Sequence, residues 1–121
     1  MVNYCLVLPY LPGGIELVKK FAEENTNTNE HDEFYKIAGV TREQVWIQRN
    51  PQGTGPDLEV VSMETDDPAN TLKEFATSNH PWAIKFREYA NKAYGIDFSG
   101  PTPPLNEIVI DWQQKKKRKR K

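Results

Sequence analysis

Residues 6–21 read LVLPYLPGGIELVKKF, and this stretch passes from a strand pattern to a helix pattern. Residues 3–11 are apolar and rich in β-forming side chains, which predicts a first strand. Pro12, Gly13 and Gly14 then interrupt the pattern, because these residues favour turns. Apolar side chains follow at helical spacing, with Glu and Lys on the opposite face: Ile15, Leu17, Val18, Phe21 and Ala22. The chain is therefore expected to open with a strand, a turn and an amphipathic helix.

The remaining elements follow in the order of a small α+β fold. A short helix is predicted over residues 30–37. The segments EQVWIQR and LEVVSMET predict two strands joined by a Gly- and Pro-rich loop. Asp67, as the cap, and Pro68, as the first helical residue, predict the start of another helix. SNHP interrupts that helix, which resumes at Trp82, and NEIVIDW predicts a last strand. The order is that of a ferredoxin-like βαββαβ domain with a four-stranded antiparallel sheet. The domain is assigned to residues 1–114, and residues 115–121 are expected to form a disordered basic tail.

Both faces of the predicted sheet carry apolar side chains, although helices can cover only one of them. Alternation along the strands places Trp46, Val61, Met63 and Val109 on the second face. An exposed apolar face of this kind favours a partner, and a second copy of the chain is the simplest one. We therefore expect a homodimer in which two sheets close into a dimeric α+β barrel. In the alternative, loops or the tail partly bury these residues.

Several segments carry a resemblance to known proteins: GVTREQVWIQRNPQG, VVSMETDDP, FATSNHPWAIKFREYANKAYGIDF and PPLNEIVIDW. Over residues 3–112 the chain resembles the dimeric α+β barrel superfamily, near the antibiotic-biosynthesis-monooxygenase-like domains and closest to a bacterial family of unknown function. The superfamily includes cofactor-independent oxygenases, haem-degrading enzymes and proteins with no known activity. Asn3 matches the haem-degrading pattern, but no His follows Trp82, so the sequence departs from that pattern and we expect no cofactor.

The resemblance implies a ligand cavity between the sheet and the helices. A small aromatic or apolar ligand would bind there, and the candidate ligand-binding residues are Tyr4, Tyr35, His80, Trp82, Phe86 and Tyr89. Alternatively, these side chains only pack in the hydrophobic core and bind no ligand. As an enzyme, the protein would be a cofactor-independent monooxygenase-like catalyst in which His80 assists proton transfer. Whether it is an enzyme at all is left open.

The two histidines each admit a simpler interpretation. His31 lies among Glu30, Asp32 and Glu33, a pattern that suits either a surface cation site or a solvated charged turn. His80 is either an acid–base group or the cap of the helix that follows it. We predict no metal site. Cys5 is expected to be a small buried apolar residue.

Charge divides the chain into an acidic body and a basic end. Residues 1–114 hold nine of the 16 basic residues and all 17 acidic residues, a net charge of −8. The remaining basic residues form a run that predicts polyanion binding through counterion release, as a second alternative function: Lys115, Lys116, Lys117, Arg118, Lys119, Arg120 and Lys121. A role in membrane-surface contact or in solubility is equally open.

The sequence also bears on the cellular compartment. The single cysteine excludes an internal disulfide framework and suits a reducing compartment. No apolar stretch approaches the roughly 18 residues of a membrane helix, and the N-terminus lacks the basic region and cleavage site of a signal peptide. We therefore expect a cytoplasmic protein.

Overall fold

The structure is a computed structural model that describes residues 2–101 and 104–115. In chain order its elements are β1 (Val2–Pro9), α1 (Gly14–Asn25), α2 (Asn29–Ala38), β2 (Val40–Gln48), β3 (Leu58–Thr65), α3 (Pro68–Thr77) and α4 (Pro81–Tyr94). The strands form one antiparallel sheet in the order β1-β3-β2. Within the described residues, no helix has the length and hydropathy needed to cross a membrane.

The ends of the helices follow from the residues placed there. Thr28 precedes α2 and Asp67 precedes α3, and the side-chain oxygen of each accepts a hydrogen bond from a first-turn backbone N–H, at 3.1 and 3.2 Å. Such bonds satisfy donors that the first turn of a helix leaves unpaired. Gly39 ends α2 and Gly95 ends α4, with φ of 77° and 71°. Glycine adopts this left-handed conformation without steric cost, which explains both positions.

Close contacts fix α4 against its neighbours. A Cβ built on Gly14, at the start of α1, would lie 2.5 Å from the carbonyl oxygen of Ala93, so only glycine allows this approach of α1 to α4. Arg87 on α4 donates to the carbonyl oxygens of Phe75 and Ser78, at 2.9 and 2.7 Å. These bonds satisfy acceptors at the end of α3 and join it to α4.

The fourth strand and the four-stranded ferredoxin-like sheet were wrong predictions. The described part of the chain after α4 contains no strand, and the fold is α+β with four helices and a three-stranded sheet. Asn106 lies at the edge of β1, where its Oδ1 accepts a hydrogen bond from the N–H of Cys5 at 2.8 Å. A side-chain bond therefore takes the place of a backbone ladder there. Ile108, Val109 and Ile110 have high strand propensity, but propensity alone did not make this segment a strand. A strand also needs neighbouring side chains to pack against, and these three residues are exposed.

The register of the sheet corrects the predicted second face. Val60 on β3 pairs with Trp46 on β2 and with Val7 on β1, so these three share the face away from the helices. Val61 and Met63 have the opposite parity, are only 5% and 6% exposed, and lie in the core beneath the helices. The prediction placed both on the wrong face, because it assigned β3 without knowing its register with β2.

The face of the sheet away from the helices, called here the open face, is only partly apolar. Cys5 lies on it and is exposed, contrary to the prediction that this residue is buried. Beyond the apolar row of Val7, Val60 and Trp46, Ser62 pairs with Cys5 and with Gln44. The covered face, in contrast, carries the two buried clusters that form the core. The helices therefore protect one face of the sheet and leave the other uncovered.

Candidate functional site

A cavity of about 120 Å³ lies between the covered face of the sheet and the helices. Residues of both core clusters line it, and Leu6 and Phe86 pack against both clusters. Ala22, Thr26 and Val45 line it and are exposed, so the cavity opens between the last turns of α1 and strand β2. Eight of its 20 lining residues are aromatic: Phe21, Tyr35, Phe75, Trp82, Phe86, Tyr89, Tyr94 and Phe98.

Ring contacts hold these walls in place. The Trp82 ring is stacked on those of Phe34 and Phe86, with centroids 5.5 and 5.7 Å apart. Its indole N–H donates to the carbonyl oxygen of Asn25 at 2.8 Å. The polar atom of the side chain is thereby satisfied outside the cavity, and the ring itself supplies apolar surface. Stacked and edge-on aromatic pairs are stabilising beyond their buried area, so these walls are expected to be rigid.

Glu59 on β3 places one carboxyl group in this apolar environment. Its side chain is 4% exposed. Tyr10 Oη donates to Oε1 at 3.0 Å, and Tyr94 Oη donates to Oε2. Burial raises the pKa of Glu59, while the hydrogen bonds from Tyr94 and Tyr10 act in the opposite direction. Tyr89 Oη in turn contacts Tyr94 Oη, which extends the network into the cavity wall.

Glu43 on β2 provides a second carboxyl group. Tyr35 Oη donates to its Oε1 at 2.6 Å. Burial raises the pKa of Glu43 to about 7, the bond from Tyr35 lowers it, and the nearby Glu59 raises it again. Carboxyl groups with such perturbed pKa values cluster at functional sites. Glu43 therefore has the properties of a group that changes charge near neutral pH.

His31 is the basic side chain in the cavity wall. Its Nδ1 accepts a hydrogen bond from the N–H of Asn27 at 3.3 Å, and its ring centroid lies 4.1 Å from that of Tyr35. Burial lowers the pKa of His31, and the neighbouring Asp32 raises it. The hydrogen bond to Nδ1 and the burial both favour the neutral ring. No group of three or more His, Cys, Asp or Glu side chains suited to a metal occurs among the residues that the structure describes.

The structure brings four of the predicted ligand-binding residues together. Tyr35, Trp82, Phe86 and Tyr89 all line the cavity. Tyr4 is buried in the core and is not one of the described residues that line it. That these side chains contact a ligand stays a prediction.

His80 lies outside the cavity and caps α4. Its Nδ1 accepts a hydrogen bond from the N–H of Trp82 at 3.1 Å, and its Nε2 lies 3.3 Å from Oε2 of Glu33. The capping interpretation of this residue is therefore confirmed. A role in proton transfer stays a prediction, and His80 would have to give up one of these two contacts to perform it.

Sequence reasoning missed the two carboxyl groups, although a signal was present. Glu43 has the same parity as Val45 and Ile47 along β2, and Glu59 has the same parity as Val61 and Met63 along β3. A glutamate in an inward-facing position of a strand is uncommon, because a buried charge is costly unless it is paired. This parity was visible in the sequence, but the face that the helices cover was not.

The basic run lies almost entirely beyond the described residues. Lys115 is exposed, and residues 116–121 lie outside the part of the chain that the structure describes. Polyanion binding by this run stays a prediction.

Compared with protein-family models, curated proteins and solved structures, the chain matches none. The resemblance to the dimeric α+β barrel superfamily therefore stays a prediction. What the described geometry defines is a small α+β protein with an aromatic cavity that contains two carboxyl groups.

Proposed function

We propose that this protein binds a small aromatic or apolar molecule in the cavity between the sheet and the helices. The observation that carries the proposal is a cavity of about 120 Å³ with aromatic walls and an opening beside β2. Apolar cavities of about 150 Å³ stay dry and bind benzene. The volume therefore suits a ligand built on a single aromatic ring, with any substituent directed to the opening.

A change at the opening tests this proposal. Ala22 is exposed and lines the cavity, so Ala22→Phe should obstruct the entrance without disturbing the core. Ala69 is also an exposed helical alanine but does not line the cavity, and Ala69→Phe is the matched control. With benzyl alcohol as the probe, followed by ligand-detected NMR, we expect Ala22→Phe to weaken binding about tenfold, equivalent to about 1.4 kcal/mol.

Two outcomes would contradict the proposal. One is an absence of benzyl alcohol binding by the unaltered protein. The other is equal weakening by Ala22→Phe and Ala69→Phe, because the effect would then come from added surface hydrophobicity and not from the entrance.

We also propose that a second copy of the chain covers the open face of the sheet. Trp46 and Val7 are 48% and 55% exposed and flank Val60 in register. Val109 is 91% exposed but belongs to no strand, so it is not part of this face of the sheet. An apolar row of this kind supports a protein contact. Val61 and Met63 have no part in this proposal, since they face the helices.

Light scattering tests this contact through the molecular mass in solution. We expect the unaltered protein to have the mass of two chains and Trp46→Lys to have the mass of one. Ile84 is an exposed apolar residue on α4, away from the sheet, and Ile84→Lys is the control that should remain dimeric. A single-chain mass for the unaltered protein, or a dimer that survives Trp46→Lys, would overturn the proposal.

A further inference from the structure

The charges around the cavity are unbalanced. Two carboxyl groups line it, on Glu43 and Glu59, while the described lining residues include no lysine and no arginine. The basic side chain that does line it, His31, is held in conditions that favour its neutral form. A buried carboxylate without a positive partner is costly, and a partner of opposite charge removes much of that cost.

The two carboxyl groups differ in their free hydrogen-bonding capacity. Both oxygens of Glu59 already accept bonds from tyrosines. In Glu43, Oε1 accepts from Tyr35, and Oε2 accepts from no residue within the described ranges. No fully buried side-chain nitrogen or oxygen in those ranges lacks a partner, so Oε2 of Glu43 must be accessible. Glu43 is half-buried and lines the cavity, so a molecule that enters the cavity comes next to this carboxyl group.

We infer that the ligand of this cavity is an arylalkylamine, in which the amino group is on an aliphatic carbon beside an aromatic ring. Its protonated nitrogen pairs with Oε2 of Glu43 while its ring lies among the aromatic walls. This inference rests on the proposed ligand-binding function and adds the chemical class of the ligand. The ammonium group supplies the positive charge that the cavity lacks, and it donates to the accessible oxygen. Aromatic faces add to this attraction, because they interact favourably with cations.

Other polar ligands fit the cavity less well. An aromatic acid would bring a third negative group towards Glu43 and Glu59, and like charges at short range repel. An aromatic alcohol could donate one hydrogen bond to Glu43 but would leave its charge unbalanced. The expected order of affinity is amine, then alcohol, then acid.

The inferred pairing also depends on pH. Burial raises the pKa of Glu43 to about 7, so this carboxyl group ionises between pH 6 and 8. An aliphatic amine stays protonated over this range, as lysine does. Amine binding should therefore strengthen as pH rises, while alcohol binding should not. The other titratable groups that face the cavity are Glu59 on β3, and His31, Tyr35, Tyr89 and Tyr94 on the helices.

These groups do not reverse the expected trend. The pKa values of the three tyrosines are raised by burial, so they stay neutral over this range. Burial lowers the pKa of His31, so loss of any remaining proton there would also favour a cation at higher pH. Glu59 ionises in the same direction as Glu43, since burial raises its pKa from below this range.

Calorimetry with benzylamine, benzyl alcohol and benzoate tests the inference. At pH 8 we expect benzylamine to bind at least tenfold more tightly than benzyl alcohol, and benzoate to bind most weakly. Glu43→Gln should weaken benzylamine binding at least tenfold and benzyl alcohol binding by less, so that the preference for the amine is lost. Glu64, on the other face of the sheet, provides the control: Glu64→Gln removes the same charge and should preserve the preference for the amine.

The outcomes separate the two proposals. Equal binding of benzylamine and benzyl alcohol overturns the amine inference and leaves the ligand-binding function standing. A preference for the amine that survives Glu43→Gln, or that does not increase from pH 6 to pH 8 in the unaltered protein, also overturns the inference. Binding of none of the three compounds overturns both proposals. The pH series needs no variant, so the test does not depend on Glu43→Gln folding correctly.

Discussion

Glu59 and Glu43 lie on neighbouring strands and face the same cavity, yet their surroundings differ. Glu59 is almost fully buried, and two tyrosines occupy both of its oxygens. Glu43 lies nearer the opening and has one tyrosine partner. A saturated carboxyl group acts as a fixed part of the fold, whereas one with a free oxygen can interact with an incoming molecule. The same residue type therefore has a structural role at one position and, in the inferred amine site, a binding role at the other.

The largest effect on stability is expected at Glu59. Glu59→Leu removes the acceptor of both Tyr10 and Tyr94. Tyr94 Oη keeps its contact with Tyr89 Oη, but the Tyr10 hydroxyl loses its acceptor, and a buried hydroxyl without a partner costs about 1–3 kcal/mol. We expect the free energy of unfolding, measured in urea, to fall by about 2–4 kcal/mol. Glu59→Gln keeps one acceptor oxygen and should lose less. Unchanged stability in Glu59→Leu would mean that this carboxyl group has no structural role.

A smaller and pH-dependent effect is expected at Glu43. Its pKa is raised from 4.5 to about 7 in the folded protein, so the folded state holds a proton that the unfolded state releases between these pH values. Stability conferred by this proton is complete below about pH 4.5 and is lost as pH rises through about 7. Glu43→Gln does not titrate and can still accept the Tyr35 bond. It should therefore be more stable than the unaltered protein at pH 8, by about 1–3 kcal/mol.

Thermal and urea unfolding at pH 4 and pH 8 measure this difference. The gain from Glu43→Gln should disappear at pH 4, where the unaltered carboxyl group is protonated in both states. Glu64→Gln, outside the cavity, should show no comparable gain at pH 8. A variant that is less stable at pH 8 would mean that Glu43 is as well satisfied as Glu59, and the distinction between the two groups would be lost.

The smallest effect on stability is expected at His80, which lies outside the cavity that contains the two carboxyl groups. His80→Ala removes the cap of α4 and the contact with Glu33, and loss of a cap costs about 0.5–2 kcal/mol. His80→Asn should restore most of this stability, because asparagine is a good cap. Both variants should bind benzyl alcohol as the unaltered protein does. A loss of binding without a loss of stability would place His80 in the site after all.

Local patterns predicted most of the elements. LEVVSMET became β3 with the predicted bounds, and Asp67 caps α3 as expected, because alternation and capping depend on neighbouring residues. The last strand failed because strand formation depends on a partner that the local sequence does not specify. Val61 was misplaced for a related reason: parity within one strand is visible in the sequence, but the register between strands is not.

The candidate site was predictable in part. The aromatic residues of α2 and α4 were identified from their spacing and from the resemblance, and Tyr35, Trp82, Phe86 and Tyr89 line the cavity. Glu43 and Glu59 were missed because a charged residue in a strand is ordinarily assigned to solvent. Their burial depends on which face the helices cover, which is a property of the assembled fold.

The turn that opens the first helix limits how this sequence can change in evolution. Gly13 and Gly14 are adjacent, but they are required for different reasons. Gly13 has φ of 80°, and a Cβ built on it would meet no atom within 4 Å, so asparagine, which tolerates this conformation, is an acceptable replacement. Gly14 has no room for any side chain beside Ala93. In diverged descendants of the same ancestor that keep this helix contact, position 14 should remain glycine, while position 13 should be glycine or asparagine.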